Sequence, residues 1–276
     1  MMPGTSVMAA SVVPMAELRM AMVSAFKDYA VPMQLTQAGF AFMMRQRGLD
    51  RQASFVAYVG DTLAAIWLVS CEGDAAYLIS SGTVPAYRGK GLAAAMAARC
   101  FSHLRARGVR TFQTEVMVGN AAASHLYEKL GMAQSRALAC YDLERVDGEM
   151  RDVQKVAWSD IRAEASRSRD WDPSWQNSDA ALDRITDDVT AVATFEGGAL
   201  AGYAALIRPT SVVAQIAVRK DLRRQGKGRA LLMALWREAA ALRILNADAA
   251  DRGFAEFIRS VGATPSVTQR ELISLL

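Results

Sequence analysis

The sequence predicts an α/β chain built from two similar domains in tandem, each a mixed α+β sheet with helices on it. Three observations predict this. The loop Arg88-Gly89-Lys90-Gly91-Leu92-Ala93 has a counterpart, Arg223-Arg224-Gln225-Gly226-Lys227-Gly228, 135 positions further on. Each loop follows an apolar, strand-like run that ends at Thr83 or Val218, and each opens a helix-like run. The 276 residues also suffice for two domains, each of about 130 residues and able to bury its own core.

In the first half, a strand is expected near Ser6 to Ser11 and a helix from Met15 to Asp28. Pro32 disfavours helix in the residue before it, so Asp28 to Met33 reads as a loop. Thr36 is placed to cap a second helix that ends near Gly48. Strands follow at Ala53 to Tyr58, Leu63 to Ser70 and Tyr77 to Thr83, punctuated by Gly60-Asp61 and Gly73-Asp74. After the loop, a helix runs to about Arg107 and Gly108 closes it. Thr111 to Val118 alternates as a strand, Asn120 caps a helix that Gly131 stops, and Ala137 to Leu143 is the last strand.

The second half repeats the order. Val153 to Val156 reads as a strand, and Ser159 as the cap of the helix after it. Ala165 to Asp188 is polar, with Trp171, Pro173 and Trp175 within it. Strands are expected at Thr190 to Phe195, Leu200 to Ile207 and Val212 to Val218. A helix to about Leu242, a short strand at Arg243 to Asn246, a helix at Gly253 to Ser260, Gly262 and a final strand complete it. Gly131 and Gly262 are 131 positions apart, so the copies stay nearly in register. The joint is expected at Val146-Asp147-Gly148, dividing the chain into residues 1–147 and 148–276.

Composition excludes several classes. Hydrophobic residues at 52% and charged residues at 22% describe a globular chain. A net charge of +4, with no long basic run and no aromatic–basic alternation, gives no reason to expect nucleic acid. Three cysteines without a CxxC pair and two histidines argue against a disulfide framework or a metal site. No apolar run reaches membrane-spanning length, and the Met- and Ala-rich start lacks a basic n-region, so a cytoplasmic protein without a membrane partner is expected.

A glycine-rich loop between a strand and a helix suits phosphate. The first amides of a helix have no internal partner, and the helix dipole is positive there. Neither loop has the GxxxxGK[ST] pattern of a Walker loop. Gly89, Gly91 and Ala94 match GxGxx[GA], but the second copy has Leu231 at the third position. The first copy also lacks the acidic residue a dinucleotide site needs about 20 positions on.

The pattern [RQ]xxGx[GA], carried by Arg88, Gly91 and Ala93 and again by Arg223, Gly226 and Gly228, resembles the acyl-CoA loop of the GNAT superfamily of N-acyltransferases. Asn120 to Gly131 (NAAASHLYEKLG) is similar to that family's next segment. The resemblance covers nearly the whole chain as two tandem domains. It implies a mostly antiparallel sheet in each, with a central parallel strand pair that splays apart. It implies acetyl-CoA as donor, its pyrophosphate on the amides of Arg88, Gly89, Lys90, Gly91, Leu92 and Ala93. The pantetheine arm would pair with the backbone of Gly82, Thr83 and Val84, and Asn120 would contact CoA. Tyr127 stands at the family's general-acid position, and Glu115 is a candidate base, directly or through water. Both have plainer alternatives: a core aromatic for Tyr127, a surface carboxylate for Glu115. Lys90 and Lys227 are either solvated loop charges or phosphate partners.

The copies are unequal. Counting back from Gly262 puts Ile258 at the place of Tyr127 and Asp251 at that of Asn120. The expectation is an N-acetyltransferase of a small-molecule or peptide amine, catalytic in its first half. The second half, with Arg223, Gly226 and Gly228, would hold CoA without turnover. The alternative is a non-catalytic CoA-binding sensor. Each half is also one terminal strand short of the usual family domain, so the halves are expected to complete one another's sheets, as a monomer of pseudo-dimeric halves or a homodimer.

Overall fold

A computed structural model describes residues 4–28, 35–145 and 152–276. The chain forms two compact units, one of residues 1–135 with 271–276, the other of residues 136–270. The joint expected at residues 146–148 lies outside the described residues.

In unit 1, β1 (Thr5–Ala9), β2 (Leu49–Val59), β3 (Thr62–Glu72) and β4 (Ala75–Thr83) follow one another as antiparallel neighbours, and β5 (Thr111–Met117) lies parallel to β4. Residues 271–276 add to the outer side of β5, where Leu276 N–H donates to Arg110 O at 2.9 Å. Among the described residues, the α-helices that accompany the sheet are α1 (Met15–Ala25), α2 (Gln37–Arg47), α3 (Leu92–Ala106) and α4 (Ala121–Lys129). Polar caps set their ends where the sequence placed them. Thr36 Oγ1 accepts from Gly39 N–H at 3.0 Å, and Asn120 Oδ1 from Ala123 N–H at 3.1 Å. Each such cap contributes about 1 kcal/mol. The core packs α3 and α4 on alternate residues of the strands: Trp67, Ala76, Leu78, Phe112 and Val116 meet Met96, Cys100, Leu104 and Tyr127. Leu272 belongs to this core. Deleting residues 271–276 is therefore expected to lower the unfolding midpoint of unit 1, read by denaturant titration; an unmoved midpoint would contradict their place in its core.

Unit 2 takes residues 136–143 of β6 (Ala133–Leu143) and adds β7 (Gln154–Val156), β8 (Val189–Glu196), β9 (Ala199–Ile207), β10 (Val212–Val218) and β11 (Leu242–Asp248). β7 to β10 are antiparallel neighbours, β11 is parallel to β10, and β6 is antiparallel to β11. The first seven residues of β12 (Thr264–Leu275) also belong here. The helices are α5 (Trp158–Ala165), α6 (Asp179–Asp183), α7 (Lys227–Leu235) and α8 (Arg252–Ser260). So residues 136–143 serve unit 2 and residues 271–276 serve unit 1, each supplying strand to the unit built mainly from the other half of the sequence.

Three local expectations need correction. α5 starts at Trp158, not after Ser159, because Trp158 is buried and its indole donates to Asp183 Oδ1 at 2.9 Å. α6, capped by Ser178, stands in a stretch read only as polar. α7 ends at Leu235 although the sequence stays helix-favouring to Leu242. Trp236 and Leu242 are both buried, and Arg243 N–H donates to Ser211 O at 2.9 Å, so strand pairing overrides local propensity there. No helix among the described residues is long and apolar enough to cross a membrane. Among them no group of three His, Cys, Asp or Glu side chains could hold a metal ion.

Candidate active site

In unit 1 the parallel pairing of β4 with β5 runs from Ala75–Thr111 to Tyr77–Gln113 and stops. Just beyond, the β3–β4 register jumps from Val69–Leu78 to Leu68–Ser80 and leaves Ile79 as a bulge. A bulge bends its strand and re-aims the backbone. Unit 2 has the same device: the register jumps at Ala214, 135 positions after Ile79, and β10 pairs with β11 only at Val212–Arg243. Gly82 sits on the splayed part of β4. A Cβ there would lie 2.8 Å from Ala25 Cβ and from Phe26 Cε2, so glycine lets the end of α1 approach. Gly82→Ala is expected to cost about 1–3 kcal/mol by overpacking, measured by denaturant unfolding. The Val84 amide is committed to Ala64 O at 2.9 Å, and Thr83 O accepts from Arg88.

The two loops follow one backbone path. Gly91 (φ 76°) and Gly226 (φ 79°) are left-handed N-caps of α3 and α7. Gly89 (φ 74°) has Arg224 (φ 63°) as its counterpart, a non-glycine held in the left-handed region. Nothing lies within 4 Å of a Cβ at Gly89, Gly91 or Gly226, so both loops are uncrowded at these glycines. Leu92 enters by its amide only, since its side chain is core; Ala93 follows it in the first turn. Lys90 Nζ lies 5.2 Å from the Tyr87 ring centre, and Lys227 pairs with Glu196 at 3.2 Å.

The loop arginines do something the sequence did not suggest. Arg88 Nε donates to Thr83 O at 3.1 Å, and its Nη2 to Ala25 O at 2.9 Å. Both Nη atoms meet the Asp28 carboxylate at 2.7 Å. Arg223 repeats this with Val218 O at 2.8 Å, Ser168 O at 3.5 Å and the Asp170 carboxylate at 2.7 Å. Each arginine thus staples the loop to the segment ending its unit's first helical layer. The Arg88 hydrogen bond holds the Asp28 carboxyl below its ordinary range. That staple is complete above the usual carboxylate pKa and is lost as pH falls through the lowered value. Arg223→Ala is expected to cost about 1.5–3 kcal/mol, the value of hydrogen bonds to a charged group, by the same unfolding assay.

Around the splay of unit 1, proton-bearing groups gather on both faces of the sheet. Tyr127 is 6% exposed and packs edge-on against Trp67 with ring centres 6.4 Å apart. Trp67 pairs with Ser81, so this ring lies beside the splayed part of β4 on the α3–α4 face. Glu115 and Tyr77 alternate with Phe112, Val116, Ala76 and Leu78 and so take the opposite face. There the Tyr77 hydroxyl donates to Glu115 Oε2, and Arg47 Nη1 of α2 donates to Ile79 O at 3.3 Å. Tyr77 is 3% exposed; burial, then the Glu115 charge, pushes its phenol well above the ordinary range. Asn120 serves as the cap of α4, as either reading required.

Unit 2 keeps the frame and replaces these groups. The strands β5 and β11 correspond residue for residue at an offset of 131, which puts Asn246 at the place of Glu115. Ile258 stands for Tyr127 and is fully buried in the core. Asp251 keeps the capping role of Asn120, accepting from Phe254 N–H at 2.8 Å. Val212 stands for Tyr77. A cavity of about 580 Å³ opens at the N-terminus of α7. It is lined by Gly226 and Gly228, by β10 past its bulge, by β11 around Asn246, and by Trp171, Phe254 and Phe257. A Cβ on Gly228 would lie 3.1 Å from the Phe257 ring, so glycine here admits an aromatic. Behind the cavity, Arg169 Nε donates to the Tyr203 hydroxyl at 2.7 Å, which donates to Gln215 Oε1 at 2.9 Å. Burial pushes the Tyr203 phenol up to about 12, against the opposing pull of Arg169.

Sequence reasoning passed over Tyr77, Arg47, the stapling aspartates and Asn246. The 131-position offset that aligns Gly131 with Gly262 would have paired Asn246 with Glu115. Asp28 and Asp170 are 142 positions apart and follow neither offset, so only the fold brings them to equivalent places.

The comparisons with known proteins agree with this geometry. The model of the "Acetyltransferase (GNAT) family" matches residues 20–132, and that of the "Acetyltransferase (GNAT) domain" matches residues 159–254. No protein of curated function matches the sequence. The chain resembles the solved GCN5-related N-acetyltransferase from Sphaerobacter thermophilus at 13% identity, over 100% of this chain and 96% of that one, with a TM-score of 0.72. It resembles a tandem GNAT protein from the clavulanic acid biosynthesis pathway at 15% identity, over 98% of each chain, with a TM-score of 0.68. The GCN5-related N-acetyltransferase from Anabaena variabilis gives 11% identity, 98% and 72% coverage, and a TM-score of 0.58. At such identities the structural likeness is one of fold, and it spans both units. The chain belongs to the GNAT acetyltransferase family, as two GNAT domains in tandem, and acetyl transfer is the chemistry that this membership carries.

Proposed function

We propose that the protein transfers an acetyl group from acetyl-CoA to a primary amine by direct attack, and that unit 1 performs the transfer. One observation carries this reading: Glu115 and Tyr127 flank the splay of unit 1 from opposite faces, while unit 2 has Asn246 and Ile258 in their places. Open glycine loops over free helix amides fit the pyrophosphate of the donor in both units. The donor supplies the acetyl group as a thioester.

Glu115 receives the proton of the attacking amine, and backbone amides beside the bulge polarise the acetyl carbonyl as fixed donors. The new C–N bond forms as the C–S bond breaks. Tyr127 gives its proton to the departing sulfur, whose thiol pKa of about 8.5 already makes the thiolate a tolerable leaving group. A base on one face and an acid on the other let acceptor and leaving group occupy opposite sides of the sheet. Unit 2, with an amide and an aliphatic side chain at these positions, holds the donor in its cavity without turnover. The acceptor is a small-molecule or peptide amine, with no nucleic-acid or membrane partner required.

The test is thiol release from acetyl-CoA by the full chain against a panel of amino acids, polyamines, aminoglycosides and peptide N-termini. Amine-dependent release with formation of the N-acetyl product supports the proposal. Binding of acetyl-CoA without amine-dependent release from any member would favour the sensor reading.

A further inference from the structure

We infer that Tyr77 is a positioning residue for Glu115: its buried hydroxyl fixes the carboxylate at the splay and keeps it ionised. The inference rests on the reading of Glu115 as the base.

Tyr77 is the last residue of β4 paired with β5, and Glu115 lies two residues beyond its partner Gln113, on the same face. The hydroxyl has one proton to give, and it goes to Glu115 Oε2. A phenol this buried stays protonated through neutral pH, so it acts as a permanent donor. Hydrogen bonding to the charged form of a carboxylate favours that form, and burial opposes it. The hydrogen bond favours the form of the carboxylate that can accept the amine's proton.

Elements packed against the pair bring further groups. α2 brings Arg47, which donates to Ile79 O and whose charge opposes the rise of the Tyr77 phenol. α4 brings Tyr127, close enough to act on Tyr77. Residues 271–276 beside β5 bring Glu271, whose Oε1 accepts from Ser135 Oγ at 2.8 Å. The bulge does not need the tyrosine: unit 2 bulges at the matching place with Val212 there, although its β10–β11 register differs by one residue and Asn246 is left-handed at φ 58°. Tyrosine and glutamate are present together in the unit that carries Tyr127 and absent together in the unit that carries Ile258.

The experiment is a carboxyl 13C NMR titration of Glu115 in the full-length protein, its signal assigned by loss in Glu115→Gln. Tyr77→Phe keeps the ring and should raise the Glu115 pKa by about one to two units, as expected for a lost hydrogen bond to a charged group. The acid limb of the kcat/KM profile should move up with it. Incorporation of 3-fluorotyrosine at position 77, a stronger donor of the same shape, should shift both the other way. A Glu115 titration that moves in neither variant, both folded, would overturn the inference. If Glu115→Gln keeps the wild-type rate and profile, the base reading fails instead, and the NMR titration still reports whether Tyr77 holds the carboxylate.

Discussion

Tyr127→Phe is expected to slow acetyl transfer by about 10²–10⁴-fold, the usual value of a positioned general acid, while leaving acetyl-CoA affinity nearly unchanged. The substitution removes the hydroxyl and keeps the ring. The ring keeps its edge-on contact with Trp67 and its place in the core with Met96 and Phe112. A helix aromatic that served packing alone would tolerate this change with full activity. Steady-state kinetics beside calorimetric binding of acetyl-CoA separates the two roles. A fall in kcat at constant donor affinity assigns Tyr127 to proton transfer, and an unchanged kcat makes it a core residue.

Trp67→Ala should be the most damaging single truncation in unit 1, at about 3–5 kcal/mol. Trp67 is 0% exposed on β3, stacked on Phe112 with ring centres 6.2 Å apart and planes 11° from parallel. It meets Tyr127 on its other contact, so removing it opens a cavity beneath the splay. Domains of this size have only about 5–15 kcal/mol in total, and unit 1 should be close to unfolding. Because the chain has two units, denaturant unfolding is best followed by a probe in each. A loss below about 1 kcal/mol would mean that the site collapses around the gap.

Much of the fold is legible in the sequence because its signals are local. Thr36 begins a helix by its side-chain cap, and Gly48, Gly108, Gly131 and Gly262 follow helix ends in the left-handed conformation. The Gly197-Gly198 turn brackets strands that form nearly where the alternation predicts. The failures are non-local. Nothing near Leu235 says that α7 must stop; burial of Trp236 and the pairing of Arg243 with the segment before β10 decide it. The membership of residues 136–143 in unit 2 and of residues 271–276 in unit 1 is likewise non-local.

The site divides the same way. The loops and Tyr127 are visible because a spacing carries them. Tyr77 is read only as a strand residue, since its partner Glu115 is 38 positions away and meets it only when β4 and β5 align. Arg88 and Arg223 enter the sequence reading only as loop positions, and the structure adds what their side chains do by turning their guanidinium groups onto Asp28 and Asp170.

The central claim is that one unit turns over and the other only binds. Gly91→Glu and Gly226→Glu test it as a matched pair, because both glycines are left-handed N-caps with open space above them. In each variant a carboxylate and a strained backbone would stand where the donor's phosphate is expected. The measurement is the rate of acetyl transfer in each, with folding checked by circular dichroism. The account predicts that Gly91→Glu abolishes transfer and that Gly226→Glu retains it. Transfer that survives Gly91→Glu and is lost with Gly226→Glu would contradict it and move the chemistry to unit 2.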